Sequence, residues 1–398
     1  MTSFDETPRS NRIRIAFFGL RNAGKSTLVN AFCGQSLSIV SDVPGTTTDP
    51  VSKAMEILPL GPCMVTDTAG LDDEGGLGEQ RVRKSLDVLA TADIAVWAAT
   101  DDPLKSAAER RWKERFLSEC GKHGVKVFEY RRGEDVGGLK SRIAAVKLDE
   151  RTAGLLDGIV KPGELVICVC PIDASAPKGR LILPQVQVIR ECLDLHTTCI
   201  VVQPEELSAA IEKTDGKHER VLVITDSQAV SKVEEIIGLQ PSVLNLRLTT
   251  FSVLFARQKG DFAEFVRGIE AIKSLKDGDT VLISEACTHR RHCEDIGVSK
   301  IPKAVMALSG CQKFNFAFSS GATFNPATMR SLGTHAALIV HCGGCMLTRR
   351  ELLHRIDLAR AAAVPIVNYG LVLSAAAGLS EFGADGLVSD FRRKTARQ

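Results

Sequence analysis

A strand, a glycine-bracketed loop and a helix in direct succession constrain this chain more than any other feature. The apolar run Arg12–Phe18 leads into Gly19-Leu-Arg-Asn-Ala-Gly24-Lys25-Ser26-Thr27, and Lys25–Phe32 reads as the start of a helix. The loop fits the pattern G-x-x-x-x-G-K-[ST]. Gly19 and Gly24 let the backbone take positive φ and turn successive N–H groups onto phosphate oxygens. The helix that opens there adds the positive end of its dipole. Lys25 is expected to reach the β/γ-phosphates and Ser26 to bind Mg2+. Gly19, Asn22, Ala23, Gly24, Lys25, Ser26 and Thr27 are therefore the predicted phosphate-binding run.

The rest of the chain continues the strand–helix alternation that predicts parallel βαβ units. Strands are expected at 63–66, 94–99 and 125–128, then at 165–170, 198–202 and 220–225, and finally at 280–284, 336–340 and 364–367. The Gly/Pro-rich stretch 147–163 reads as a linker. With 398 residues there is room for two or three cores. The expected fold class is α/β, with a P-loop domain over 1–150 that is shortened, a second α/β domain over 151–255 and a third over 256–398. Lys+Arg is 50 against Asp+Glu 48, and aromatics are 5%, so neither nucleic acid nor an anionic membrane is an expected partner. No apolar run reaches the roughly 18 residues of a membrane span. Met1–Arg12 is polar with mixed charge, which leads us to expect a cytoplasmic protein.

Two further motifs extend the nucleotide site. Asp67-Thr-Ala-Gly70 follows a strand, where Asp67 is expected to hold Mg2+ through water and the Gly70 N–H to meet the γ-phosphate. Gly45-Thr46-Thr47-Thr48-Asp49 lies between, and Thr47 is the favoured switch residue closing on Mg2+. Asn22 and the Gly-Thr-Thr run resemble the GTPases related to the tRNA-modification enzyme TrmE. That resemblance implies a potassium ion held beside Asn22 and K+-stimulated GTP hydrolysis. One part is missing: no Asn-Lys pair occurs anywhere, so the usual Asn-Lys-x-Asp guanine reader is absent. Thr100-Asp101-Asp102 follows the wrong strand to replace it. Weaker nucleotide binding, poorer discrimination of GTP from ATP, or both are expected.

A second chemical site lies near the C-terminus. Cys287-Thr-His289 follows one expected strand, and His341-Cys342-Gly-Gly-Cys345 follows another. Both fall at carboxyl ends of buried strands, where open α/β sheets place ligands. Three thiolates with nearby imidazole suit zinc or an iron–sulfur cluster, and spacing does not separate the two; Cys-x-x-Cys alone would also suit a redox pair. Cys33, Cys63, Cys168, Cys170, Cys192 and Cys199 sit singly on apolar stretches and are expected to be buried thiols.

Taken together, these motifs resemble the FeFe-hydrogenase maturation GTPases, the HydF family. The residues that carry the resemblance are the P-loop with Asn22, the run 67–75, Pro-Ile-Asp-x-x-Ala-Pro-Lys-Gly-Arg-Leu-Ile (171–182) and Val-Ile-Thr-Asp-Ser-Gln (223–228). Cys-Thr-His-Arg (287–290), Glu-Asp-Ile-Gly (294–297), Lys-Ile-Pro (300–302), His-Cys-Gly-Gly-Cys (341–345) and Pro-Ile-Val-Asn-Tyr-Gly (365–370) complete it. The resemblance implies GTPase, dimerisation and cluster-binding domains in that order, and a homodimer. It implies a 4Fe–4S cluster on Cys287, Cys342 and Cys345 with a labile fourth site, for which His289 and His341 are candidates. It also implies a carrier that receives a two-iron precursor from radical-SAM maturases and delivers it to apo-hydrogenase. The competing expectations are a TrmE-like RNA-modification GTPase and a regulatory nucleotide switch, each with structural zinc.

Overall fold

The computed structural model describes residues 9–34, 50–73, 75–100, 106–148, 154–172, 181–214, 220–240, 245–286, 296–321 and 336–379. The chain divides into two compact units, Met1–Glu150 and Arg151–Gln398.

In the first unit, β1 (Ile13–Phe18) runs into the phosphate loop and α1 (Lys25–Cys33). Then come β2 (Val51–Ile57), β3 (Gly61–Asp67), α2 (Gly76–Thr91), β4 (Ile94–Ala98), α3 (Ser106–Lys122), β5 (Lys126–Tyr130) and α4 (Val136–Ala144). The sheet order is β2-β3-β1-β4-β5, parallel except for the β2–β3 pair. Helices cover both faces. Ile15, Phe17, Val65 and Val96 pack with Leu28, Val29 and Phe32 on one side, and Phe18 and Trp97 pack with Leu89 and Phe116 on the other. Strand β2 is not among the strands expected from sequence. Its alternation of half-buried and exposed residues marks an edge strand with one face on solvent, and its polar face hides it from a search for apolar runs.

The second unit holds two four-stranded parallel sheets. The first is built from β6 (Leu165–Val169), α5 (Leu183–Asp194), β7 (Thr198–Val202), α6 (Leu207–Glu212), β8 (Arg220–Thr225), α7 (Val230–Gly238) and β9 (Asn245–Thr250), in the order β7-β6-β8-β9. Two helices follow, α8 (Phe251–Lys259) and α9 (Phe262–Ile272). The other sheet comprises β10 (Thr280–Glu285), α10 (Ile301–Ser309), β11 (Asn315–Ser320), β12 (Ala336–His341), α11 (Arg349–Ala361), β13 (Ile366–Asn368) and α12 (Tyr369–Ala376), in the order β11-β10-β12-β13. Helix α8 serves both: Phe251, Leu254 and Phe255 pack under the first sheet, and Val253 and Ala256 under the other.

The linker expected over 147–163 is corrected in its second half. Leu155, Leu156, Ile159 and Val160 are buried in the core beneath β6. Arg247, only 5% exposed in its side chain, pins this segment by donating to Ile159 O at 2.8 Å and pairing with Glu164 at 2.6 Å. A buried ion pair of this kind holds a segment in one place, because separating the partners strands a charge. Among the described residues no helix is long and apolar enough to cross a membrane.

Candidate functional site

The nucleotide site grows from β1. Gly19 lies against the neighbouring strand, and a Cβ there would fall 2.6 Å from Ala98 O. Asn22 (φ 61) and Gly24 (φ 82) take left-handed backbone, as a loop curling around an anion requires. Gly24 caps α1, whose first residue is Lys25. The Lys25 side chain is buried and its ammonium donates to Leu20 O at 2.7 Å, folding back across the loop. Ser26 Oγ donates to Asp67 Oδ2 at 2.6 Å. A hydroxyl and a carboxylate 41 residues apart thus meet in the manner of oxygen ligands for a divalent cation. Thr68 anchors the same turn by donating to Phe17 O at 2.7 Å, and the Leu71 N–H donates to Gly19 O at 3.2 Å.

Gly70 presses on the phosphate loop. A Cβ on it would stand 2.7 Å from Arg21 N and 2.9 Å from Arg21 Cα. The Arg21 N–H donates to Asp72 Oδ1 at 2.5 Å, and Asp73 pairs with Arg81 at 3.1 Å. The phosphate loop and the turn 67–73 are therefore one packed assembly, a feature the motifs do not reveal. Ala23 lies in the loop, donating its N–H to Leu20 O at 3.2 Å, and Thr27 is exposed on α1. Thr47 lies outside the described residues. Just past the carboxyl end of the adjoining strand β4, the Thr100 N–H and Trp97 Nε1–H both donate to Glu109 Oε1, at 3.0 and 3.1 Å. After β5, Asp135 accepts the N–H groups of Gly137 and Gly138 as the cap of α4. Its carboxylate is thereby committed to the helix end.

The cysteine loop grows from the other parallel sheet. Chain order departs to opposite sides of β10, with β11 on one flank and β12 on the other, so the carboxyl ends of β10 and β12 form the topological switch point. There the Cys342 N–H donates to Ser284 O at 2.8 Å, and the Ala286 N–H donates to Cys342 Sγ at 3.2 Å. Ala286 immediately precedes Cys287 in the chain. Cys287 and His289 lie outside the described residues. Burial pushes the Cys342 thiol up, while the Ala286 and Gly344 amides pull it the other way. Gly344 (φ 64) supplies the left-handed turn between Cys342 and Cys345. Thr348 and Glu351 then form a reciprocal cap that starts α11.

The structure corrects one expected ligand. The His341 ring is fully buried and both nitrogens are engaged: Nδ1 lies 2.6 Å from Cys342 O and Nε2 lies 3.2 Å from Arg355 NH1. A guanidinium only donates, so Nε2 accepts and Nδ1 carries the hydrogen given to the carbonyl. Burial, aided by Arg355, pushes the ring pKa down to about 3 and keeps it neutral. His341 is a spacer between Arg355 and the loop, with neither nitrogen left for a metal. Arg355 also donates to Gly321 O at 2.9 Å. Sequence spacing points to neither Arg355 nor Lys259. The Lys259 ammonium donates to Cys345 O at 3.2 Å and to Leu347 O at 3.1 Å, with burial lowering its pKa to about 8 against the pull of Cys345 and Glu351. Among the described residues no group of three or more His, Cys, Asp and Glu side chains is arranged to hold a metal.

The first unit is a P-loop GTPase domain. A family model described as 50S ribosome-binding GTPase matches residues 14–126. The second unit matches two models in sequence, the hydrogen maturase F dimerization domain over 155–260 and the hydrogen maturase F tetramerization domain over 263–382. These two cover more than half of the chain, and the chain belongs to the hydrogen maturase F family.

Similarity to curated proteins falls on part of the chain. The tRNA modification GTPase MnmE of Acinetobacter baumannii is 30% identical over 155 residues, 37% of this chain and 34% of the relative. The GTPase Der of Wolinella succinogenes is 41% identical over 95 residues, 23% of this chain and 20% of the relative. The chain thus spans about a third or less of the length of these relatives. A crystal structure of a single-residue variant of Aquifex aeolicus Era bound to GDP.AlF4- aligns with 80% of this chain and 98% of that one, at 16% identity and a TM-score of 0.26.

Proposed function

We propose that this chain is a GTP-hydrolysing maturation factor for FeFe-hydrogenase that carries a 4Fe–4S cluster and passes a two-iron precursor, its substrate, to the apo-enzyme. The observation that carries the cluster reading is the contact between the Ala286 N–H and Cys342 Sγ at the switch point, which brings the neighbour of Cys287 against the Cys-x-x-Cys loop. A sulfur accepting main-chain N–H groups is the environment that favours a metal-bound thiolate. The thiol chemistry of Cys287, Cys342 and Cys345 suits such a group, and these three would hold it, with His289 the candidate for the fourth position. When bound, such a cluster supplies an iron with an exchangeable ligand position. Ala286 and Cys342 fix the loop, and His341 transmits the hold of Arg355 to the Cys342 carbonyl.

In the GTPase domain, Lys25 and the amides of Asn22, Ala23 and Gly24 receive the phosphates, and Gly19 admits the loop beside β4. Ser26 and Thr47 ligate Mg2+, and Asp67 orients it. The Gly70 N–H senses the γ-phosphate, and Asn22 supports a potassium ion. Nucleotide acts as a switch on partner affinity, which it can shift only by binding two states unequally. The partners are radical-SAM maturases, apo-hydrogenase and further copies of this chain. Self-association is supported by the two family descriptions and by β7, an open edge strand with Val201 exposed.

The test is anaerobic reconstitution with iron and sulfide on wild type and Cys287→Ala. About four irons per chain and a reduced 4Fe–4S EPR signal, lost or altered in the variant, support the reading. Tight zinc without an EPR signal would replace it with a zinc-stabilised nucleotide switch.

A further inference from the structure

Lys259 is a charge in the wrong place for a merely structural lysine. It is the last residue of α8 and is only 5% exposed. Removing an ammonium from water costs several kcal/mol, which hydrogen bonds and nearby counter-charge must offset. Its ammonium is spent on the loop that carries Cys342 and Cys345, donating to Cys345 O and Leu347 O, while its other side faces the Phe255 ring at 5.2 Å. These carbonyls belong to the residues at and just beyond the second cysteine. Peptide planarity turns the N–H that follows each carbonyl the opposite way. The Met346 N–H therefore points away from Lys259.

A second buried cation holds the other end of the loop. Arg355, 6% exposed, reaches Cys342 O through His341. Two cations from two helices, α8 and α11, thus grip one short loop at its two cysteines. Arg349 adds a brace by donating from Nε to Gln258 O at 3.1 Å, which ties the start of α11 to the end of α8. Apolar residues would have packed these helices at lower cost. Glu351 supplies part of the counter-charge to Lys259, and a negative group carried by the loop would add to it where the two cysteines lie.

We propose that Lys259 is a positioning residue for the cluster: it presets the Cys342–Cys345 loop and supplies a fixed positive charge behind the Cys345 thiolate. This inference rests on the cluster reading above. A thiolate-ligated cluster gains negative charge on reduction, so a buried cation beside it favours the reduced form and raises its potential. Removing the cation lowers the potential and loosens the loop.

The experiment compares full-length wild type, Lys259→Met and Lys259→Arg after anaerobic reconstitution with iron and sulfide. The readouts are the rate of cluster loss to a chelator and the midpoint potential from an EPR-monitored redox titration. In Lys259→Met, cluster loss should be faster by about 10-fold or more, in line with other supporting-shell substitutions, and the potential more negative. Lys259→Arg keeps the cation and should hold the potential near wild type. Should Lys259→Met not fold, Lys259→Gln provides the same neutral comparison. Equal loss rates and equal potentials in the neutral and wild-type proteins would overturn the role of Lys259 and leave the cluster reading standing. Failure of wild type to assemble a cluster would overturn both.

Discussion

Replacing Gly70 by alanine tests whether contact between switch and phosphate loop sets the rate of hydrolysis. Gly70 does not have the positive φ that would strain an alanine, so the effect is steric alone. The added Cβ would lie 2.7, 2.9 and 3.0 Å from Arg21 N, Cα and Cβ, two of them backbone atoms that cannot rotate away. Restoring an ordinary 3.4 Å contact requires loop and switch to part by about 0.7 Å. A displacement of about 1 Å at a reacting centre costs on the order of 100-fold in rate. We therefore expect hydrolysis to fall by about 10- to 100-fold. The local overpacking adds about 1–3 kcal/mol of destabilisation. GDP lacks the γ-phosphate that Gly70 is proposed to meet, so its affinity should fall much less. The assay is steady-state phosphate release at saturating GTP, with the affinities of GDP and of a non-hydrolysable GTP analogue by calorimetry. Gly76→Ala is the matched control, because a Cβ there meets nothing within 4 Å. Hydrolysis by Gly70→Ala within about threefold of wild type, or equal losses of GTP and GDP affinity, would refute the argument.

Three further outcomes follow from the same geometry. GDP and ADP should bind within about 10-fold of each other in a competition assay, because the chain has no Asn-Lys-x-Asp motif and the Asp135 carboxylate caps α4; a large GDP preference would reveal a base reader not yet identified. Arg247→Met should destabilise the second unit by about 3 kcal/mol, the low end for breaking a buried pair, since Arg220 remains 3.2 Å from Glu164; the urea midpoint of that unit's transition reads it. Lys25→Ala should abolish GTP hydrolysis while iron content after reconstitution stays at the wild-type level, and a parallel loss of iron would show that nucleotide binding is needed for loading.

What can be read along the chain is whatever is written in consecutive residues. The phosphate loop is one such run, because strand, glycine turn and helix start all lie between Arg12 and Phe32. The buried strands β6, β8, β10 and β12 are legible because parallel strands covered on both faces are continuous apolar runs. Polar or half-exposed elements are not: β2 and β11 are edge strands with a solvent face. Strand β9 carries the buried Arg247, whose charge disguises a core position that only its pairing with Glu164 makes tolerable. Composition alone makes a linker of 154–163, because glycine and proline frequency does not report that Leu155, Leu156 and Ile159 find a core to enter.

The site divides in the same way. Residue types and spacing nominate Lys25, Asp67, Cys342 and Cys345, because phosphate and thiolate chemistry demand those groups. Only tertiary structure could bring Ser26 to Asp67, or Lys259 to a carbonyl 86 residues later in the chain, since such contacts depend on which strands pair and which helices pack between them. It also removes His341 from the ligand candidates. A histidine next to a cysteine invites a metal reading, and only packing reveals that Arg355 and a main-chain carbonyl already use both of its nitrogens. Sequence thus determines which chemistry the chain can perform through local patterns, whereas the burial and partners that decide each group's protonation and availability are set by residues distant along the chain.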